Sequence, residues 1–183
     1  LIPPREMVVT LTHDGYIKTQ HTEDYQSQRR GGRGKKAAAT KNEDCIKSLL
    51  VANTHDYLLC FTNLGKCHWI KVYKLPEGGR NSRCRPVNNV LNLDDGERLS
   101  AILPVREFTD HEYVFMATAR GLVKKTVLSA FKNVSVKAIK AIVLNDDDSL
   151  VSVAKTSGAD DIMLFSNSGK AIRFNEYWEG AVV

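Results

Sequence analysis

The chain has 183 residues, 43% of them hydrophobic, and a net charge of +5 from 26 Lys and Arg against 21 Asp and Glu. That apolar content excludes a disordered tail. No run approaches the roughly 18 apolar residues of a membrane helix, and Leu1-Ile2-Pro3-Pro4-Arg5-Glu6 lacks the apolar core of a signal peptide, so a cytoplasmic chain without membrane contact is expected.

In chain order, Met7 to Leu11 is a short, β-branched apolar run that reaches His13-Asp14-Gly15 and continues as a second strand to Gln20. After a basic loop, Glu43-Asp44 precedes the apolar run Ile46 to Val51. Tyr57 to Phe61 then turns at Asn63-Leu64-Gly65 and runs to Tyr73, and Asp94-Asp95-Gly96-Glu97 precedes Leu99 to Val105. Tyr113 to Ala117 turns at Ala119-Arg120-Gly121, Asp146-Asp147-Asp148 precedes Leu150 to Ala154, and Ile162 to Phe165 turns at Asn167-Ser168-Gly169. Each turn supplies a glycine able to take φ > 0. The glycines lie 50, 56 and 48 residues apart, and a period near 50 built of hairpins marks blade-like β repeats. The chain reads as all-β, one domain over residues 1–183 with about four repeats of roughly four strands, the first lacking its opening strand.

Cys45, Cys60, Cys67 and Cys84 form no C-x-x-C pair. They read as reduced packing residues, although Cys60 and Cys67 could face each other across a hairpin. Tyr16, Trp69, Phe115, Phe131, Phe165 and Trp178 fit strand packing better than base stacking.

The charge is local. Arg29, Arg30, Arg33, Lys35, Lys36 and Lys41 fall between Gln28 and Lys41 with no acid among them, which leaves about −1 for the rest of the chain. A defined anionic partner explains such a patch better than general basicity. Within it, Gln28-Arg29-Arg30-Gly31-Gly32-Arg33-Gly34 and Lys35-Lys36 make a loop whose amides approach phosphates while guanidinium forks grip them. It lacks base-reading Asn or acidic residues, so it suits phosphate positioning rather than direct sequence readout. The alternative is a solvated RGG-type loop. Arg80, Arg83 and Arg85 recur in Gly78 to Pro86, and Lys137 and Lys140 in the next repeat, which describes a basic track on a curved rim. On the hairpins Lys18, His68 with Lys71, Lys124 with Lys125, and Lys170 with Arg173 follow the glycines. Of these, Lys124, Lys125 and Arg173 are expected phosphate contacts, against the alternative of solubilising strand residues.

The segment Gln28 to Gly34, together with Leu50 to Asp56, Phe115 to Ala119, Gly121 to Thr126 and Ile162 to Ser166, resembles the C-terminal DNA-wrapping domain of the DNA gyrase A protein over residues 6 to 178. The resemblance implies a β-pinwheel, a propeller-like disc of usually six blades that wraps double-stranded DNA around a basic rim and so lets gyrase introduce negative supercoils. It implies further a nucleoid-associated accessory domain, monomeric by itself, working with the rest of the gyrase A protein and with the gyrase B protein in an A2B2 enzyme. The cleaving tyrosine, ATP and Mg2+ would then act elsewhere, leaving this domain without cofactor or metal. In this light 183 residues look like part of a larger disc.

No nucleophile–base set, phosphate loop or paired metal-binding carboxylates point to catalysis, and Asp146 to Asp148 reads as a turn. The alternatives are a topoisomerase IV-type C-terminal DNA-binding domain, or a propeller-type module docking an acidic protein. If six charges each neutralise a phosphate, the salt slope is about −5, and binding weakens roughly a thousandfold between 50 and 200 mM salt. Bending a 20–30 bp site by 40–90° costs on the order of 1–6 kcal/mol, so several anchoring loops are needed for a full wrap.

Overall fold

The computed structural model describes residues 1–30, 45–79, 82–165, 169 and 171–176. Of the positions singled out above, Gly31, Gly32, Arg33, Gly34, Lys35, Lys36, Lys41, Arg80, Ser166, Asn167, Ser168, Lys170, Trp178 and the Glu43-Asp44 turn lie outside them. The elements are β1 (Glu6–Thr12), β2 (Tyr16–His21), α1 (Thr22–Arg30), β3 (Ile46–Asn53), β4 (Tyr57–Thr62), β5 (Lys66–Lys71), β6 (Arg85–Pro86), β7 (Leu99–Val105), β8 (Tyr113–Thr118), β9 (Val123–Val127), β10 (Ile139–Lys140), β11 (Leu150–Thr156), β12 (Asp161–Phe165) and β13 (Ala171–Asn175). Short 3-10 turns cover Val72–Lys74, Val87–Asn89 and Leu128–Phe131.

All four expected hairpins form. Three of them share one turn chemistry, closed by Thr12, Thr62 and Thr118. The amides of Gly15, Gly65 and Gly121 donate to the carbonyls of these threonines, and the threonine Oγ1 atoms accept from the amides of Tyr16, Lys66 and Leu122. Closing so tight a turn puts the glycines at φ 85°, 79° and 88°, where a Cβ would be strained.

The sheets run β3-β1-β2-β6, β10-β5-β4-β7, β11-β8-β9 and β12-β13, with every pairing antiparallel. The order corrects one expectation. The strands after the acidic turns do not open the following repeat. They fold back onto the hairpin before them, β3 onto β1, β7 onto β4 and β11 onto β8. The first sheet therefore lacks nothing, and its fourth strand comes from further along the chain. After β5 the chain crosses back to pair Arg85 with Ile17 of β2, and after β9 it crosses back to pair Ile139 with Cys67 of β5. Each of these two sheets so receives its outer strand from the next repeat.

Strand alternation decides the packing. In β4, Leu58 and Cys60 point into a cluster with Met7, Val9, Leu11 and Ile17 of the first sheet, whereas Leu59 and Phe61 point into a second cluster with Val114 and Met116 of the third and Leu128 of the turn that follows it. All four β4 side chains are fully buried, so the second sheet is clamped on both faces. The same alternation places Cys60 and Cys67 in different clusters. They do not face one another, and both are free thiols. Trp69 is buried and donates Nε1–H to Phe131 O, and Phe115 packs on Phe174. Phe165, expected in the packing, is instead 74% exposed, because among the described residues no sheet covers that face of β12.

Candidate nucleic-acid interface

Adjacent sheets are tied together at the strands that fold back. Lys47 Nζ donates to Leu99 O, and Ser100 Oγ donates to Leu150 O, so β3 is joined to β7 and β7 to β11. This is the inner edge of the array. The opposite, outer edge carries β6 and β10, and with them the segments that bridge one blade to the one before.

The first bridge is tightly built. Thr19 N–H donates to Pro76 O, Gly78 N–H to Thr19 O and Val87 N–H to Gly15 O, each at 2.8 Å. Between these anchors Ser82 N–H donates to Gly79 O, and a Cβ on Gly78 would collide with Ser82 Oγ. Arg83 and Arg85, just beyond Ser82, are exposed. In the second bridge Ala141 N–H donates to Gly65 O, Lys140 lies opposite Lys66, and Lys137 and Lys140 are exposed. No ion pair among the described residues engages Arg83, Arg85, Lys137 or Lys140. These four cations stand on the outer edges of the first and second sheets, the only sheets for which a donated strand is described.

The remaining expected contacts are differently placed. Gln28, Arg29 and Arg30, expected in a loop, instead close helix α1, whose first turn holds Glu23 and Asp24 in the position that favours acid at a helix start. Lys124 Nζ donates to Ala141 O, and Lys125 Nζ donates to Glu176 O and lies over the Tyr113 ring. Arg173 is paired with Asp161, whose carboxyl it holds below its ordinary range. Lys71 Nζ donates to His55 O over the Tyr57 ring. His68 is not on the rim at all: it is buried, with Nε2 3.6 Å from Glu97 Oε1. One signal of the rim lies in composition rather than in any motif. From Tyr113 to Asn145 there is no acidic residue, while Arg120, Lys124, Lys125, Lys132, Lys137 and Lys140 are all basic.

The acidic turns sit against the hairpin tips, and the hairpin chemistry explains them. Glu97, with no exposed side-chain surface, accepts from Thr62 Oγ1 at 2.8 Å and from Asp94 N–H at 3.1 Å. Asp148 accepts from the amides of Arg120 and Ser149, and Arg120 also pairs with Asp147. Asp94 is paired with Lys66, and the hydrogen bond from that ammonium holds its carboxyl below the usual range. The carboxylates thus serve the turns, where they accept from turn amides and a threonine hydroxyl and pair with Lys66 and Arg120.

Sheets joined along an inner edge by returning strands, and interlocked along the outer edge by strands received from the next repeat, define a propeller-type β-domain with its free cations on the rim. The family described as "DNA gyrase C-terminal domain, beta-propeller" matches residues 6–53, 56–106, 112–157 and 160–177, one match per sheet, and the chain belongs to that family. It is 75% identical over 179 residues to the DNA gyrase A protein of Neisseria gonorrhoeae and 53% identical over 176 residues to that of Escherichia coli K12, covering 98% and 96% of this chain. It spans about one fifth of the length of each. Among solved structures, the C-terminal domain of a DNA topoisomerase IV is similar with TM-score 0.76 and 29% identity, over 96% of this chain and 53% of that one. A DNA gyrase A C-terminal domain is similar with TM-score 0.67 and 27% identity, over 93% and 55%. No helix among the described residues is long and apolar enough to cross a membrane.

Proposed function

We propose that this domain binds double-stranded DNA without sequence preference and bends it around the outer edge of the blades, as the wrapping domain of a DNA gyrase. The observation that carries the reading is the placement of Arg83, Arg85, Lys137 and Lys140, outside any ion pair among the described residues, on bridging segments at the outer edges of two successive blades. Each bridge is anchored by backbone hydrogen bonds to the blade before it, so its cations meet a duplex already in position and lose little entropy on binding. The sequence box from Gln28 to Lys36 adds the largest charge. Relatives that are gyrase A proteins favour gyrase over topoisomerase IV.

In this reading residues 1–183 act as one unit of a larger disc in the bacterial cytoplasm, on nucleoid DNA. The domain is monomeric and non-catalytic. It needs neither ATP nor Mg2+, which act elsewhere in an assembly of two gyrase A and two gyrase B chains. The wrapped segment is presented to that enzyme so that strand passage introduces negative supercoils.

Binding of 15 bp and 100 bp duplexes across a salt series tests the proposal. Affinity per site should rise with length and fall steeply with salt. Equal affinity for both lengths refutes wrapping, and a preference for acidic polypeptide over duplex favours the protein-docking alternative. Relaxing a nicked circle in the presence of the chain, then sealing it, reports the sign of the wrap.

A further inference from the structure

The two bridges hold different side chains out to solvent. The first presents Arg83 and Arg85, whereas the second, between buried Phe131 and buried Ala141, exposes Val134, Val136 and Ile139 interleaved with Lys132, Lys137 and Lys140. Val136 is the extreme case, at 104% relative exposure. Its loop is held rather than slack. Val134 N–H donates to Lys132 O, Lys137 N–H donates to Ser135 Oγ, and Ile139 and Lys140 pair with Cys67 and Lys66.

An isopropyl group gains nothing from a phosphate. On a rim that follows a polyanion, it finds a complementary surface only inside a groove, with the neighbouring lysines on the phosphates to either side. An apolar wedge entering the minor groove kinks a duplex toward its major groove, which on a convex rim turns the DNA away from the protein. The major groove is wide enough for a loop, and the thymine C5-methyl is its apolar feature. A β-branched side chain, stiff at χ1, loses little rotamer freedom on such contact.

We infer that Val136 is a specificity-determining residue that touches a thymine methyl in the major groove, a point of sequence readout on an otherwise sequence-tolerant rim. The inference rests on the wrapping function proposed above. The test crosses a change in the protein with a change in the DNA, using the full chain and a 100 bp duplex made with thymine or with uracil, which lacks only the C5-methyl. The wild-type chain should prefer thymine DNA by about fourfold, the ratio expected for one buried methyl group. Val136→Ser should lose that preference while keeping its salt slope. A preference that survives Val136→Ser comes from DNA stiffness and overturns the inference, as does a wild-type chain that binds both duplexes equally. Failure of the wild-type chain to bind long duplex at all is a separate result, and it overturns the wrapping function itself.

Discussion

Replacing Glu97 by Ala should cost the fold about 3 kcal/mol, because two donors lose a charged acceptor. Thr62 Oγ1 at 2.8 Å and Asp94 N–H at 3.1 Å both donate to this carboxylate. Hydrogen bonds to a charged group contribute roughly 1.5–3 kcal/mol each. The low end applies, since Asp94 lies at an exposed turn where water can replace the lost acceptor. Thr62→Val removes one of these two bonds, and with it the 3.4 Å acceptor of the Lys66 amide, and should cost about 2 kcal/mol. If the contact is what stabilises the turn, the double variant should be less destabilised than the sum by about 1 kcal/mol or more. Urea unfolding at neutral pH measures all four species. Strict additivity would refute the account of the acidic turn as the anchor of the hairpin threonine.

Three further outcomes are expected. Gly65→Ala places a Cβ 2.5 Å from Ile142 O at φ 79°, whereas Gly15→Ala, at φ 85°, meets nothing within 4 Å. Thermal melts should therefore show a loss of about 1–2 kcal/mol for Gly15→Ala and a clearly larger one for Gly65→Ala, and equal losses would show that the bridge does not constrain the turn. In DNA titrations, Arg83→Ala with Arg85→Ala should make the salt slope shallower by about 2, while Arg173→Ala, whose guanidinium is held by Asp161, should leave it unchanged; the reverse order would move the interface to the fourth sheet. Burial pushes the Cys60 thiol up to about 12 and raises Cys67 as well, so maleimide at neutral pH should label exposed Cys45 and spare both until the chain unfolds. Rapid labelling of Cys60 in the folded chain would contradict the sealed core.

Strand positions were legible because each blade repeats a β-branched run and a glycine turn, and Thr12, Thr62 and Thr118, three residues before their glycines, sharpen the pattern further. Partners were not legible. Whether Leu99 to Val105 joins the hairpin before it or after it depends on where Ser100 and Leu103 find contacts, which no local pattern states. Arg85-Pro86 and Ile139-Lys140 are too short to carry alternation at all, and they belong to sheets built from residues far upstream. Helix α1 was missed: Tyr25 is its only large apolar side chain, so it has no stripe to detect, and the acids Glu23 and Asp24 in its first turn were its one local signal. Among the site residues, sequence placed Arg83, Arg85, Lys137 and Lys140 on accessible loops. It did not show that His68 is buried beside Glu97 or that Arg173 is paired with Asp161, because local order does not reveal a buried glutamate or a cross-strand aspartate.

The interlocking of the blades also sets an order of assembly. Ile17 cannot complete its pairing until Arg85 exists, nor Cys67 until Ile139 does. A chain emerging from the ribosome must therefore hold an unfinished sheet, its outer edge open, while the next hairpin is still being synthesised. Each blade matures one step behind translation. The exposed edge is waiting for a particular downstream partner, and this makes the nascent domain most vulnerable to pairing with another chain at the moment between one hairpin and the next.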